Sequence, residues 1–219
     1  MIKVIVNGAK GRVGQEVVKA VNADCELELA GALDMGDDLD AALKDTRAEV
    51  VVDFTVPDTR MQVIETIVKN GARGVIGTTG FTEADLEQVE KLCAENNAAV
   101  LIAPNFAIGA VLMMQFAKAA FKHMPKAEII ELHHDKKLDA PSGTAIKTRD
   151  LMGNPDIPIH SVRLPGLVAS QEVIFGGLGQ TLTIRHDTIN RESFMPGVVM
   201  AVKKMIKQQG LVYGLEKIM

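Results

Sequence analysis

The sequence lacks an excess of basic residues, which excludes one large class of partners. Lysine and arginine number 24 against 28 aspartates and glutamates, so the net charge is −4. A surface that binds nucleic acid needs the opposite balance, and we expect no nucleic-acid partner. An acidic small-molecule substrate remains compatible with this charge, because a few lysines in a cleft reverse the field locally.

The sequence also lacks a cysteine framework, a metal-ligand pattern and a long apolar run. Its two cysteines, Cys25 and Cys93, are isolated, as is typical of a reducing compartment. No set of His, Cys, Asp or Glu has the spacing of a metal site, so we expect none. The most apolar later segment, AIGAVLMMQFAKAAF, is interrupted by Gln115 and Lys118, which excludes a membrane span. The opening MIKVIVNGAKG lacks the layout of a signal peptide. We therefore expect a soluble, cytoplasmic protein.

The first half of the chain alternates apolar runs with helical patterns. Buried strands are predicted at 2–6, 27–33, 49–55, 74–79 and 98–103, and helices at 11–22, 58–70 and 82–96. The last helix has Thr82 at its start with Asp85 three residues on, a capping pattern. Such alternation indicates a parallel sheet with helices on both faces. The chain between Leu33 and Glu49 has room for about one further helix.

The pattern changes after residue 106. A helix at about 108–122 precedes the apolar strand AEIIELHH, and another helix begins near Ser142. SQEVIFGG and QTLTIRHD flank the glycine-rich connection GGLGQ, which predicts a hairpin in a mixed or antiparallel sheet. From Pro196 the segment PGVVMAVKKMIKQQ predicts a helix that returns to the first domain. We therefore predict an α/β protein with a Rossmann-like, parallel-sheet dinucleotide-binding domain (1–106 and 196–219) and a smaller α+β substrate domain with a mixed sheet (107–195).

Three glycines, Gly8, Gly11 and Gly14, lie between the first predicted strand and helix. Glycines there let backbone N–H groups at a helix start approach a pyrophosphate. The spacing is G-x-x-G-x-x-G rather than the commoner G-x-G-x-x-G. Asp34, twenty residues after Gly14 at the end of the second predicted strand, supports a nucleotide site over a plain tight turn. A carboxylate there accepts hydrogen bonds from an adenosine ribose and repels a 2′-phosphate.

Two further segments, GTTGF (77–81) and APNF (103–106), follow predicted strands four and five. The carboxyl ends of strands are where ligands bind in open parallel sheets. The alternative for 77–80 is an ordinary turn between strand and helix. Arg12 is either a phosphate contact or a solvated helix residue.

The segment ELHHDKKLDAPSGTA (131–145) concentrates chemically active side chains. Successive side chains of a strand face opposite ways. We therefore expect the chain to leave the strand here, so that one of His133 and His134 meets the reacting atom and the other a neighbouring group. Histidine transfers protons near neutral pH, and Lys137 supplies a positive charge or a second proton. Adjacent histidines alone are more often structural or superficial. The flanking lysine and turn favour a functional site.

The end of this segment, DAPSGTA, predicts an anion site. Pro141 restricts the backbone before the turn, and either Ser142 or Thr144 can cap the following helix. Gly143 permits close approach to N–H groups at the helix start, which suits a carboxylate. The segment therefore predicts an acidic small molecule that is protonated during the reaction.

The same segment matches the pattern E-x-H-H-x-x-K-x-D-A-P-S-G-T-A at every specified position. GAKGRVG, DFT, GTTGF, APNF, FGGLGQTLTIRH and NRESFMPGV stand in the same order as in the family that carries this pattern. On these motifs the chain, essentially end to end, resembles the 4-hydroxy-tetrahydrodipicolinate reductases, long called dihydrodipicolinate reductases, of bacterial lysine and diaminopimelate biosynthesis.

The resemblance implies reduction of 4-hydroxy-tetrahydrodipicolinate to tetrahydrodipicolinate with loss of water, using NADH or NADPH, by a homotetramer. It makes His133 the proton donor and acceptor and Lys137 a second proton donor. Substrate binding is implied for His134, Ser142, Gly143 and Thr144. The implied cofactor contacts are Gly8, Ala9, Lys10, Gly11, Arg12, Val13, Asp34, Gly77, Thr78, Thr79, Ala103, Pro104, Asn105 and Phe106.

Two questions stay open at this point. Met35 and Gly36 follow Asp34, with no arginine for a 2′-phosphate, which favours NADH, whereas Lys10 and Arg12 offer compensating charge for NADPH. Two other functions are another Rossmann-type reductase of a small acidic substrate and a non-catalytic NAD-binding module. The second requires a decayed catalytic segment, and its residues are all present.

Overall fold

The computed structural model describes all 219 residues, which divide into two compact units. Unit 1 comprises Met1–Phe106 and Phe194–Met219, and unit 2 comprises Ala107–Ser193. Unit 2 is therefore inserted between two parts of unit 1. None of the helices is both long and apolar enough to cross a lipid bilayer.

Unit 1 is built on a six-stranded parallel sheet. Its strands are β1 (Ile2–Asn7), β2 (Leu27–Leu33), β3 (Val50–Asp53), β4 (Arg73–Ile76), β5 (Ala99–Ile102) and β10 (Gly210–Tyr213), in the spatial order β10-β5-β4-β3-β1-β2. Every residue of β3 and β5 is buried. Strands buried on both faces read as continuous apolar runs, which is why the sequence pattern found them.

Helices of unit 1 surround this sheet. They are α1 (Gly14–Ala23), α2 (Leu39–Thr46), α3 (Arg60–Lys69), α4 (Glu83–Asn96) and α7 (Met195–Met205), with short 3-10 turns at Pro57–Thr59 and Leu215–Lys217. The predicted cap of α4 is confirmed: the Thr82 hydroxyl accepts from the Asp85 N–H at 3.2 Å, and the Asp85 carboxylate accepts from the Thr82 N–H at 2.8 Å. This reciprocal pair fixes where α4 begins.

The C-terminal prediction was wrong in part. A single helix was predicted from Pro196 to residue 209, but α7 ends at Met205 and Gly210–Tyr213 forms β10, parallel to β5. Four residues carry too little alternation to indicate a strand. The helix α7 packs against β3, β4 and β5 of unit 1 and buries Val198 and Met205.

Several predicted elements of unit 1 were too long at the sheet's carboxyl edge. The predicted strands 49–55, 74–79 and 98–103 end at Asp53, Ile76 and Ile102. The predicted first helix, 11–22, begins only at Gly14. The predicted residues beyond these strand ends, and residues 11–13 before α1, belong to loops at that edge, where the backbone leaves regular geometry.

Unit 2 is a four-stranded mixed sheet with two helices. Its strands are β6 (Ala127–His133), β7 (Ile159–Arg163), β8 (Ala169–Gly177) and β9 (Gln180–Thr188), in the order β7-β6-β8-β9, and its helices are α5 (Ile108–Phe121) and α6 (Gly143–Met152). Strands β6 and β7 are parallel, and the other pairs are antiparallel. The predicted β8–β9 hairpin is confirmed, with Gly179 at φ +71° in its turn.

Candidate active site

The first histidine of the pair ends a strand, and the second begins a turn. His133 is the last residue of β6, and the His134 carbonyl accepts a hydrogen bond from the Lys137 N–H at 3.1 Å. The expectation that the chain leaves the strand here is confirmed. His133 Nδ1 lies 2.5 Å from Oε2 of Glu131, two residues earlier on the same face of β6.

Burial and neighbouring charges both affect the protonation of His133 and Glu131. Burial lowers the pKa of His133 below its usual value, and the nearby Lys137 and Arg163 lower it further, while Glu131 opposes the shift. Burial raises the pKa of Glu131, but hydrogen bonds from Arg163, Ser161 and His133 outweigh it and lower that pKa to about 2. At neutral pH the arrangement is therefore an ionised carboxylate beside a neutral imidazole.

Lys137 is held within its own loop. Its Nζ donates to both carboxylate oxygens of Asp139, at 2.7 and 2.8 Å. The Lys137 side chain is 21 % exposed and that of Asp139 is 62 % exposed. Because exposed ion pairs are weak, an incoming carboxylate can replace Asp139 as the partner of this ammonium group.

The helix start after Pro141 has the open geometry that an anion needs. Ser142 is buried, and its hydroxyl accepts from the Ala145 N–H at 3.2 Å, so Ser142 rather than Thr144 is the N-cap of α6. Gly143 is the first residue of the helix. Apart from its chain neighbours and the backbone of its own helix, no atom lies within 4 Å of the position that a Cβ would take there. Thr144 follows in the first turn.

In unit 1 the loop between β1 and α1, which contains Gly8 and Gly11 and leads to Gly14, is packed too closely to admit side chains at its glycines. Gly8 has φ +83°, and a Cβ on Gly14 would lie 2.0 Å from the Gly8 carbonyl oxygen. The Gly11 N–H donates to the same oxygen at 3.0 Å. No side chain caps the N-terminus of α1. These features leave a bare backbone corner beside a helix start, as pyrophosphate binding requires.

Asp34 lies where the sequence placed it, beside this loop. Its Oδ2 accepts from the Lys10 N–H at 2.7 Å and its Oδ1 from the Met35 N–H at 2.8 Å. The Met35 and Lys10 hydrogen bonds lower the pKa of Asp34, so the carboxylate is ionised.

A cavity of about 650 Å³ adjoins this carboxylate within unit 1. It brings together three of the predicted contacts, Gly8, Gly11 and Asp34. The other loop residues are half-buried, Ala9 and Val13, or exposed, Lys10 and Arg12. The rest of its lining includes Asn7, Met35, Gly36, Asp37, Asp38, Phe54, Thr55, Thr59 and Gln62.

The remaining predicted contacts lie at the same sheet edge, after β4 and β5. A Cβ on Gly77 would fall 2.1 Å from the Phe54 ring, and that ring lies 5.6 Å from the ring of Phe106. The Ala103 N–H donates to Ile76. Thr79 and Pro104 are exposed, Asn105 is half-buried and Thr78 is buried.

Sequence reasoning missed two buried carboxylates. Asp53, at the end of β3, accepts hydrogen bonds from Asn7, Thr55 and Thr78. Glu131 accepts from His133 and Arg163. A polar residue that ends an apolar run signals the first, and the two-residue spacing from His133 signals the second.

Comparison with known proteins decides the family. The family model described as "Dihydrodipicolinate reductase, N-terminus" matches residues 2–106. The model described as "Dihydrodipicolinate reductase, C-terminus" matches residues 109–219. The chain belongs to the dihydrodipicolinate reductase family. This confirms the resemblance drawn from the motifs.

Individual members of the dihydrodipicolinate reductase family align along their whole length. The 4-hydroxy-tetrahydrodipicolinate reductase of Mycolicibacterium gilvum (strain PYR-GCK) is 49% identical over 243 residues, covering 100% of this chain and 99% of that protein. The enzyme of the same name from Syntrophomonas wolfei is 45% identical over 262 residues, with 99% and 98% coverage. The solved structure of dipicolinate-bound dihydrodipicolinate reductase from Paenisporosarcina sp. TG-14 is 40% identical, with a TM-score of 0.91 over 100% of both chains.

Membership in the dihydrodipicolinate reductase family confirms the expected α/β fold class and the expected oxidoreductase activity. The enzyme is a reductase of lysine biosynthesis, and its nucleotide-binding domain takes a pyridine nucleotide. A probable dehydrogenase from Thermotoga maritima, 10% identical with a TM-score of 0.71, shares the fold alone.

Proposed function

We propose that unit 2 binds 4-hydroxy-tetrahydrodipicolinate and that unit 1 binds NADH or NADPH for its reduction. The substrate gains one hydride and one proton, and its 4-hydroxyl group leaves as water, which gives tetrahydrodipicolinate. A bound reduced nicotinamide supplies the hydride. One observation carries the proposal. Glu131 holds one ring nitrogen of His133, and Lys137 and the open start of α6 follow in the same segment.

His133 and Lys137 manage the proton in this proposal. With Nδ1 hydrogen-bonded to an ionised carboxylate, Nε2 is the nitrogen of His133 that exchanges a proton with a ligand. The Lys137 ammonium group carries a second transferable proton and attracts the dicarboxylate. A substrate carboxylate replaces the exposed carboxylate of Asp139 as the ion-pair partner of Lys137.

The substrate carboxylate binds at the start of α6. Backbone N–H groups of Gly143 and Thr144 point out of a helix N-terminus, where the helix dipole favours an anion. The open space at Gly143 admits the ligand. Ser142 shapes this start through its cap, and His134 adds a contact from the preceding turn.

We propose that the cavity of unit 1 receives the adenosine half of the dinucleotide and that the predicted loop residues are the contacts of the whole cofactor. Gly8 to Val13 bind the pyrophosphate, Asp34 binds the adenosine ribose, and 77–79 and 103–106 bind the nicotinamide half. The bare glycine corner, and a cavity of about 650 Å³ lined by Gly8, Gly11 and Asp34, support the pyrophosphate and ribose contacts. The place of 77–79 and 103–106 at the same sheet edge supports the nicotinamide contacts.

We propose that NADH is the preferred cofactor. Asp34, Asp37 and Asp38 all line the cavity that would receive the adenosine ribose. Negative charge there repels a 2′-phosphate, whereas Lys10 and Arg12 are exposed. The ratio of kcat/KM for NADH over NADPH should exceed one and should fall in Asp34→Ala. A wild-type ratio below one would contradict this preference.

The reaction is tested by following NADH oxidation at 340 nm. The substrate is generated in place from pyruvate and aspartate semialdehyde by the preceding synthase. Because general acid–base groups contribute about 10²–10⁴-fold, His133→Gln and Lys137→Ala should each lose about that factor in kcat. His160→Gln is the matched control, since His160 is an exposed strand residue of the same sheet. NADH binding should be equal in all four proteins. Absent wild-type turnover despite tight NADH binding would refute the assignment.

We further propose a homotetramer assembled through the sheet of unit 2. Leu178 is fully exposed and Leu182 is 40% exposed on the β8–β9 hairpin, which supports burial of this hairpin by another copy. Light scattering should give four times the chain mass of 23.6 kDa. A monomer that persists at assay concentration would contradict it. The free thiols of Cys25 and Cys93 support a further proposal, that the enzyme works in a reducing cytoplasm.

A further inference from the structure

We propose that Glu131 and Arg163 act as a positioning pair, which fixes the tautomer and direction of the His133 ring and ties them to the start of α6. The proposal rests on the proposed function, in which His133 exchanges the proton. Neither residue contacts the substrate in this role, so neither is a catalytic residue.

The first support is the full use of the Glu131 carboxylate. The side chain is completely buried. Its Oε2 contacts His133 Nδ1 at 2.5 Å and accepts from Arg163 Nη1 at 2.8 Å, while Oε1 accepts from Arg163 Nη2 at 2.7 Å and from the Ser142 N–H at 3.1 Å. A buried carboxylate is tolerated only when it is paired and hydrogen-bonded in this way. The Glu131 carboxylate therefore links His133, the proposed proton donor, to the start of α6, the proposed binding site of the substrate carboxylate.

The second support is the placement of Arg163. It is paired with His133 in the parallel register of β6 and β7, so its guanidinium group reaches Glu131 from the neighbouring strand. Its Nη2 also donates to the Asp139 carbonyl at 2.8 Å, which anchors the loop that carries Lys137. The two-point contact with the carboxylate defines its plane as well as its distance. Arg163 thereby orients the acceptor that orients the histidine.

The consequence for His133 follows from donor and acceptor inventory. An ionised carboxylate only accepts hydrogen bonds, so Nδ1 must carry the proton and Nε2 is left for the ligand. The charged groups facing the ring are Glu131 on its own strand, Arg163 on β7 and Lys137 in the following loop. The two cations disfavour the imidazolium form, and Glu131 alone favours it. Without Glu131, the preferred tautomer of His133 changes, and the imidazolium form of its ring becomes harder to reach.

The test compares Glu131→Gln with Glu172→Gln. Glu172 is the matched control, because it pairs with Arg185 in the same sheet at 2.9 Å. The first readout is nitrogen NMR of ¹⁵N-histidine-labelled protein, with His133→Gln used to assign the signal. Wild type and Glu172→Gln should show His133 protonated at Nδ1. Glu131→Gln should show a mixture or the Nε2–H form, because a carboxamide both donates and accepts.

The second readout is kinetic. Since a wrong histidine tautomer in a related carboxylate–histidine arrangement costs up to about 10⁴-fold, kcat in Glu131→Gln should fall about 10²–10⁴-fold, with NADH KM unchanged. The pH limb of kcat that belongs to His133 should move to lower pH, because the anion that favours imidazolium is gone. Glu131→Asp should recover part of the loss. The kcat of Glu172→Gln should stay within about twofold of wild type, because the ion pair of Glu172 with Arg185 does not include His133, Lys137 or Arg163.

The outcomes separate this inference from the proposed function. If wild type does not reduce the substrate, the proposed function fails, while the tautomer comparison still decides the positioning role. An Nδ1–H tautomer in Glu131→Gln, or a kcat matching that of Glu172→Gln, overturns the positioning role. Should Glu131→Gln fail to fold, Arg163→Lys takes its place, since lysine keeps the charge and loses the two-point contact. Unchanged tautomer and kcat in that variant overturn the inference equally.

Discussion

Replacement of Asp53 by alanine removes the acceptor that joins three strand ends of unit 1. Asp53 is fully buried at the end of β3. It accepts from Asn7 Nδ2 at 2.8 Å, from Thr55 Oγ1 at 3.0 Å and from Thr78 Oγ1 at 2.7 Å. Burial raises the pKa of this carboxyl group, and the three side chains oppose the shift. The loops of the nucleotide cavity begin at these residues.

The expected loss of stability follows from the donors that remain. A buried donor without an acceptor costs about 1–3 kcal/mol. Thr78 has a second acceptor, the Thr55 carbonyl at 3.3 Å, and Thr55 contacts the Thr59 hydroxyl at 3.3 Å, so Asn7 alone bears the full penalty. We expect Asp53→Ala to lower the unfolding free energy of unit 1 by about 3 kcal/mol, counting the small void left behind. Asp53→Asn keeps one acceptor oxygen and should lose about 1 kcal/mol.

The chain offers a selective probe for this measurement. It has one tyrosine and no tryptophan, and Tyr213 lies in β10 of unit 1. Urea unfolding followed by tyrosine fluorescence therefore reports on unit 1, and the order of stability should be wild type, Asp53→Asn, Asp53→Ala. NADH binding should weaken in the same order. If Asp53→Ala unfolds within about 0.5 kcal/mol of wild type, the range of an ordinary surface substitution, the reasoning from orphaned donors is refuted.

Three further outcomes are expected. Gly143→Ala should raise the substrate KM about tenfold or more, the effect of about 1.4 kcal/mol, by filling the open space at α6, while Gly176→Ala, also in open space, should not; equal KM values in both variants would contradict the cradle. Gly14→Ala should weaken NADH binding and destabilise unit 1 by about 1–3 kcal/mol, because its Cβ would lie 2.0 Å from the Gly8 oxygen; unchanged fluorescence titrations would refute this. The folded-state pKa of Glu131, about 2 against an ordinary 4.5, gives stability that is complete above pH 4.5 and lost as pH falls toward 2. That contribution is about 3 kcal/mol, so urea curves of wild type and Glu131→Gln should converge between pH 5 and pH 2, and parallel curves would argue against it.

The parts of the fold that were predictable are those that leave a local pattern. Strands β1, β3, β4 and β5 are buried along most or all of their length and appear as apolar runs, and Thr82 with Asp85 predicts the start of α4 through a reciprocal cap. Strand β10 was not predicted, because a run of four residues after a helical pattern is too short to show the alternation of a strand. The loops that follow β3, β4 and β5 were read as strand because their first residues are also apolar or β-branched.

The candidate site divides in the same way. His133, Lys137 and Gly143 stand within one short segment, so residue type and spacing sufficed to propose them. The contact between Glu131 and Arg163 joins positions 32 apart and exists only because β6 and β7 pair in one particular register. No local pattern specifies that register. The contacts of Asp53 are nonlocal in the same way, since Asn7 and Thr78 reach it from positions 46 and 25 residues away.

The insertion of unit 2 has a consequence for the order in which the nascent chain can fold. A ribosome delivers residues 1–106 first, while α7 and β10, which complete unit 1, follow only after all of unit 2 has been made. Until then β5 is an unpaired sheet edge, and the surface that Val198 and Met205 later cover faces water. Unit 2 is contiguous and can form co-translationally as a whole. Completion of unit 1 therefore waits for the segment that follows unit 2, and its apolar surface stays uncovered while unit 2 is being made.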